Sequence, residues 1–313
     1  MAGTGTAGDV LGTYLRAQAT AFLRALRGHT GSAVSGSDAV DGAEAARSLR
    51  GAARRISGSL ATFRVVTESS WADGLRTELV WLSSTLADEH AYAARLTRLM
   101  DALHRLAGTP EVSSPRGGAG ALTVGSARAG ALLERQLTLA RTRAHSATLQ
   151  ALGSSRFHAV ADAVAVLASE VPLDPVAARG PVEEVLVPLA EVARHRLAAA
   201  VSALPPTERA QPYNADHDGS WHEVRRLLRV HRYAREALGE EVDRLAAAGE
   251  ALDRHRDAAE AAAASATAAR TPRIAPATAY ALGILHADQR HEVEAARTAF
   301  FRIGVGVGAP SPS

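Results

Sequence analysis

The chain of 313 residues contains no cysteine and no lysine, and aromatic residues make up 4% of it. Without cysteine there can be no disulfide, thiolate nucleophile or cysteine metal site, and the chain suits a reducing compartment such as the cytoplasm. Without lysine, every cationic contact must come from the 35 arginines or from histidine. Arginine and alanine usage of this kind follows codon bias in a GC-rich genome, but it has a chemical effect: each cation is a planar, permanently charged fork. So few aromatics, none interleaved with the arginines, make a base-stacking platform for single-stranded nucleic acid a poor expectation. No run approaches the ~18 uncharged apolar residues of a membrane span. The N-terminus lacks the basic start and apolar core of a signal peptide, so a soluble intracellular protein is expected. With 33 acidic residues against 35 basic ones, net charge selects no partner.

Apolar residues recur with helical spacing almost throughout, and alternating β-branched runs are scarce. The expectation is an all-α fold, with helices near 8–28, 41–67, 71–106, 122–151, 154–169, 180–203, 220–238, 240–269 and 276–303. Loops rich in glycine, serine and proline separate them at 28–37, 108–120 and 204–220. Ser220 and Glu223 have the spacing of a capping box, which would place His222 in a first turn.

One pattern occurs twice. In RSLRGAARRISGSLATFR (47–64), Arg47, Arg50 and Arg54 share a narrow helical stripe; in HEVRRLLRVHRYAREAL (222–238), His222, Arg225, Arg229 and Arg232 do the same. The opposite face is apolar in both, with Leu49, Ala53, Ile56, Leu60 and Phe63 in the first and Val224, Leu227, Leu228 and Leu238 in the second. Guanidinium groups in line suit a ligand with repeated anions, through forked hydrogen bonds to phosphate or carboxylate. The competing reading is a solvated, ion-paired helix face. The scarcity of acidic residues four places away along each stripe, and the repetition in one register, weigh against it. A repeat separated by more than half the chain reads as a duplication into halves at 1–170 and 171–303, with a disordered tail at 304–313.

Other constellations are weaker. Asp216, His217, Asp218 and His222 in DHDGSWH suggest either a metal-dependent phosphohydrolase or turn and cap residues. Asp253, His255 and Asp257 alternate at two-residue spacing and are expected on the surface. His231 lies on the apolar side of its helix and reads as a core or interface histidine, whereas His90 is a candidate to face the groove. Arg135, Arg141, Arg143, Arg194 and Arg196 sit on flanking helices as candidates to extend the basic lining, and periodicity does not choose among them. No GxSxG turn, glycine-rich phosphate loop or isolated acidic pair supports catalysis, so no metal or cofactor is expected.

These segments resemble a known family, the conserved histidine α-helical domain, or CHAD. ARSLRGAARRI with ATFR at 61–64 is similar to its first-half signature, and WHEVRRLLRVHRYARE to its second; VWLSSTLADEHAYAARL, LGSSRFHAVADAVAVL and YALGILHADQRHEVEAA add to the likeness. The resemblance implies two antiparallel four-helix bundles related by a pseudo-twofold axis, binding of inorganic polyphosphate in a basic groove between them, and localisation to polyphosphate granules. It places Arg47, Arg50, Arg54, Arg55 and Arg64 with His222, Arg225, Arg229 and Arg232 toward the ligand; Arg55 rests on the family pattern alone. The chain departs from that pattern where Arg47 replaces a histidine, Ser57 and Ala61 replace arginines, and Ala91 replaces an aspartate whose second-half counterpart is Asp253. The expected function is a stand-alone, non-enzymatic polyphosphate-binding module, with a polyphosphate or nucleotide hydrolase and a helical adaptor for an acidic protein as the alternatives. Removal of Arg225 and Arg229 would then weaken binding with little change in stability, and Arg235, on another face, would be silent.

Overall fold

The computed structural model describes residues 5–35, 39–108, 118–205 and 213–304. Among these, nine α-helices follow one another: α1 (Ala7–Ser35), α2 (Ala39–Thr62), α3 (Ser69–Gly108), α4 (Gly118–Leu152), α5 (Ser155–Ser169), α6 (Val182–Ser202), α7 (Asp218–Ala237), α8 (Asp243–Ala269) and α9 (Pro276–Ile303). The described residues contain no strand, only two isolated β-bridges, so the fold is all-α. Each expected helix is present. The expected tail falls, apart from Gly304, outside the described residues, as do the centres of the loops at 108–120 and 204–220.

Local chemistry explains several ends. Thr6 and Asp9 cap α1 reciprocally: the Asp9 carboxylate accepts from the Thr6 amide at 3.0 Å, and the Thr6 hydroxyl from the Asp9 amide at 3.2 Å. Ser154 caps α5 by accepting from the Phe157 amide, and Pro276 opens α9 at a position that has no amide to lose. Two ends differ from expectation. Helix α1 continues through Gly28 and Gly31 to Ser35, because packing against α2 outweighs a glycine cost of about 1 kcal/mol each. Helix α7 starts at Asp218, two residues early, so Ser220 lies inside it; Glu223 pairs instead with Arg226 at 2.7 Å, and the capping box is not formed.

Both motif helices bury the faces their periodicity marked. Leu49, Ala53, Ile56 and Leu60 of α2, with Phe63 just past its end, are fully buried, as is Val224 of α7, with Leu227 and Leu228 nearly so; Leu238 is half-buried. The core divides into three main clusters. The first joins α1, α2, α5 and the start of α3 to Leu186 and Ala190 of α6 and to Ala234 and Ala237 of α7. The second gathers α6, α7, the start of α8 and the end of α9. The third joins the far ends of α3 and α8 to α4 and α9. Apolar packing thus crosses between the two sequence halves in the first and the third cluster. The segment between the halves is also tied down: the Ala7 amide donates to Gly180, Glu68 to Pro172 and Asp174 to Val66, at 2.9–3.0 Å.

The functional consequence lies between clusters. Helix α3 serves the first cluster up to Leu86 and the third from Leu99, while α8 serves the second up to Leu252 and the third from Ala261. The intervening stretches, 87–98 and 253–260, carry His90, Arg95, Arg98, Asp253, Arg256, Asp257 and Glu260. Charge collects where the apolar cores part.

Candidate anion-binding site

Helices α2 and α7 pack directly on each other. A side chain at Gly58 would bring its Cβ to 2.7 Å from the Tyr233 ring, so the small residue permits this approach. The contact turns the basic faces of the two helices toward each other and toward α8. Arg50 is pulled down to about 10 by burial, and then by the charges of Arg54, Arg256 and Arg229. Arg54 is lowered by burial and then by Arg229. Arg225 is also pulled down to about 10, by burial and then by Arg229. All three remain cationic at neutral pH, but each is held in an environment that disfavours its charge.

A carboxylate reaches this cluster from α8, so the scarcity of acidic residues four places away along the stripes does not leave all of their arginines without ion pairs. Asp253 on α8 pairs with Arg225 and, at 2.9 Å, with Arg229. Burial raises the Asp253 carboxyl, but Arg225, Arg229 and Arg256 outweigh it and hold it below the usual range. Arg50 and Arg54 have no such partner: neither makes an ion pair with a described residue, and the Nε of each is buried without a hydrogen bond. Next to Arg50 opens a cavity of about 200 Å³ between α2, α3 and α8, lined by His90, Ala91, Arg95, Arg98, Arg256 and Glu260. Burial, then Arg50 and Arg47, lower the His90 pKa and favour the neutral ring.

The structure therefore brings together Arg50, Arg54, Arg225 and Arg229. Arg47 is exposed at one edge, where its charge acts on His90. His222 is exposed on the first turns of α7, its ring 6.3 Å from that of His255. Arg55 and Arg232 are engaged elsewhere: both pair with Glu236, at 2.8 and 3.2 Å, and both flank the Tyr233 ring. Tyr14 donates to the same Glu236 carboxylate, so Glu236 ties α1 through Tyr14 and α2 through Arg55 to α7, while Arg232 pairs with it within α7. Arg64 lies past the end of α2, about 15 Å along the chain axis from Arg54 at 1.5 Å per residue, and is held by Asp73 at 2.7 Å.

Sequence reasoning missed Arg256, Arg95 and Arg98. A signal was present: Asp253, Arg256 and Glu260 share one face of α8, and Ala87, Ala91 and Ala94 clear space beside Arg95 and Arg98 on α3. Other expectations need correction. His255 is buried, stacked on Trp221 at 5.2 Å and 3.4 Å from Asp218. Asp218 also accepts from Tyr213 and from Arg297, so it anchors the start of α7 to α9. Arg141 and Arg194 are turned to Glu89 and Glu191. His231 is buried as expected.

Among the described residues, no group of three or more acidic or histidine side chains is arranged to hold a metal ion, and no helix is long and apolar enough to cross a membrane. A solved structure, PptA from Streptomyces chartreusis, is 59% identical with a TM-score of 0.81, the match covering 96% of this chain and 99% of that one. The CHAD domain from the plant Ricinus communis matches with a TM-score of 0.61 over 96% of this chain and 95% of its own, at 20% identity, which is a likeness of fold. No curated protein matches. The CHAD domain model matches residues 17–266, a range that includes Arg50, Arg54, Arg225, Arg229 and Arg256. This chain belongs to the CHAD domain family.

Proposed function

We propose that this chain binds inorganic polyphosphate, without consuming it, in the arginine cluster between α2, α7 and α8. The observation that carries the reading is electrostatic. Five guanidinium groups, those of Arg50, Arg54, Arg225, Arg229 and Arg256, act on one another, and two of them, Arg50 and Arg54, make no ion pair with a described residue. Packing like charges this way costs stability unless an anion relieves it, and an extended chain of phosphates matches a row of forked donors. Membership of a family associated with polyphosphate binding supports the same ligand. Binding would rest on charge-assisted hydrogen bonds and on release of the polyanion's counterions, so affinity falls steeply with salt. Association with polyphosphate granules follows from that binding.

The test is titration of the purified protein with defined-length polyphosphate across a salt series, with and without a chelator. Binding that weakens with salt, persists in chelator and releases no orthophosphate is the expected result. Chelator-sensitive release of orthophosphate would establish a hydrolase instead. Indifference to polyphosphate would point to an acidic protein as the partner.

A further inference from the structure

We propose that His90 is a conditional cation of the anion site: neutral while the cavity between α2, α3 and α8 is empty, it takes a proton from solvent when a polyphosphate chain enters, so that binding tightens as pH falls. The inference rests on the polyphosphate reading and adds a pH-dependent binding residue to it. His90 is the histidine of the cavity wall, and its side chain stays open to solvent, so a proton can reach the ring. No hydrogen bond or ion pair ties that ring to a described residue. The same wall carries four guanidinium groups, of Arg50, Arg95, Arg98 and Arg256, against two carboxylates, of Asp257 and Glu260. Even with Arg256 paired to Asp257 and Arg95 to Glu260, a positive excess remains around the ring.

In the empty cavity this excess works against one more cation. Burial, then Arg50 and Arg47 on α2, hold the ring below the ordinary histidine range; Asp257 on α8 acts the other way, and Arg256 adds to the depression. On the other helices packed on α3, Arg141 and His145 of α4 face Glu89, Arg156 of α5 faces Glu78, and Glu292 of α9 faces Arg98. A chain of phosphates in the cavity reverses the field. Its charge offsets the guanidinium groups that repel an imidazolium, and a phosphate oxygen can accept a charge-assisted hydrogen bond from the protonated ring. The ring then holds its proton more tightly. Because linkage between two binding equilibria is reciprocal, affinity for polyphosphate rises as pH falls through the window between the bound and the free value of the ring. Of the histidines on the two motif helices, His231 is buried, which leaves His222 as the rival titrating group.

The test is titration with long-chain polyphosphate, whose end groups are a small share of its charge, at about pH 8 and about pH 5.5 and one ionic strength. The proteins are the wild type, His90→Gln and His222→Gln. Wild-type affinity is expected to rise about tenfold toward the lower pH, which corresponds to a rise of about one unit in the pKa of the ring on binding, and His90→Gln is expected to lose most of that gain. A gain kept in full by His90→Gln would overturn the proposal while leaving polyphosphate binding intact. A gain lost in His222→Gln alone would place the titrating group on α7 and overturn it as well. Nuclear magnetic resonance of the wild type reads the same event without a substitution: the His90 ring signal should titrate at higher pH with polyphosphate than without. If His90→Gln does not fold, that signal decides alone, and an unmoved titration refutes the proposal. Failure of the wild type to bind long chains at low salt at either pH would remove the functional reading and this inference together.

Discussion

Replacing Arg50 by methionine should make the protein more stable and a poorer polyphosphate binder. Methionine keeps an unbranched, apolar side chain against α3 and α8 but removes the charge, so lost packing is small. Arg50 is held at about 10, against 12.5 for the free group. At face value that is a penalty of about 3 kcal/mol for keeping it charged, and solvent on one side of the cluster reduces it to about 1–2 kcal/mol. No ion pair of Arg50 with a described residue is lost in exchange. The expected result is a rise in melting temperature of about 2–5 °C in the absence of ligand. Polyphosphate affinity should fall by roughly 10–100-fold at low salt, one charge-assisted contact being worth about 1.5–3 kcal/mol. Differential scanning calorimetry and a binding titration on the same preparations measure both. Arg225→Met provides the contrast: it strips Asp253 of one of its two counter-ions, so binding should weaken without a gain in stability. A fall in melting temperature for Arg50→Met, or unchanged affinity, would refute the claim that Arg50 is an uncompensated charge awaiting an anion.

Two further outcomes follow from the packing around the site. Burial pulls His231 down to about 4, with Arg235, Glu191 and Arg194 as its charged neighbours. The unfolded chain takes up this proton near pH 6.5 and the folded one only near 4, so stability falls as pH drops through that window, by on the order of 3 kcal/mol; urea unfolding of His231→Leu at pH 7 and pH 4.5 should show that slope reduced. Gly58→Ala forces a Cβ against the Tyr233 ring where α2 meets α7; a loss of about 1–3 kcal/mol in denaturant unfolding is expected, and an unchanged midpoint would mean the helices separate freely there.

The helices, their buried faces and the repeat were legible in the sequence because each rests on local periodicity. Leu49, Ala53, Ile56, Leu60 and Phe63 could only be buried together, on the side opposite Arg50 and Arg54. The same periodicity predicted that both arginine rows would be presented, and it distinguished His231 as a core residue. It did not separate arginines that share a helix face. Arg55 and Arg232 look like their neighbours along the chain, yet Glu236 and the Tyr233 ring take them out of the cluster. Arg225 and Arg229 are partly neutralised by a carboxylate on α8, and Arg256 enters from that same helix. These outcomes depend on which helices cross and at what height, set by Gly58 against Tyr233 and by the three apolar clusters. Helical spacing decides which face a side chain occupies; only the tertiary packing decides which charge it meets there, because Coulomb interactions act through space between segments distant in sequence.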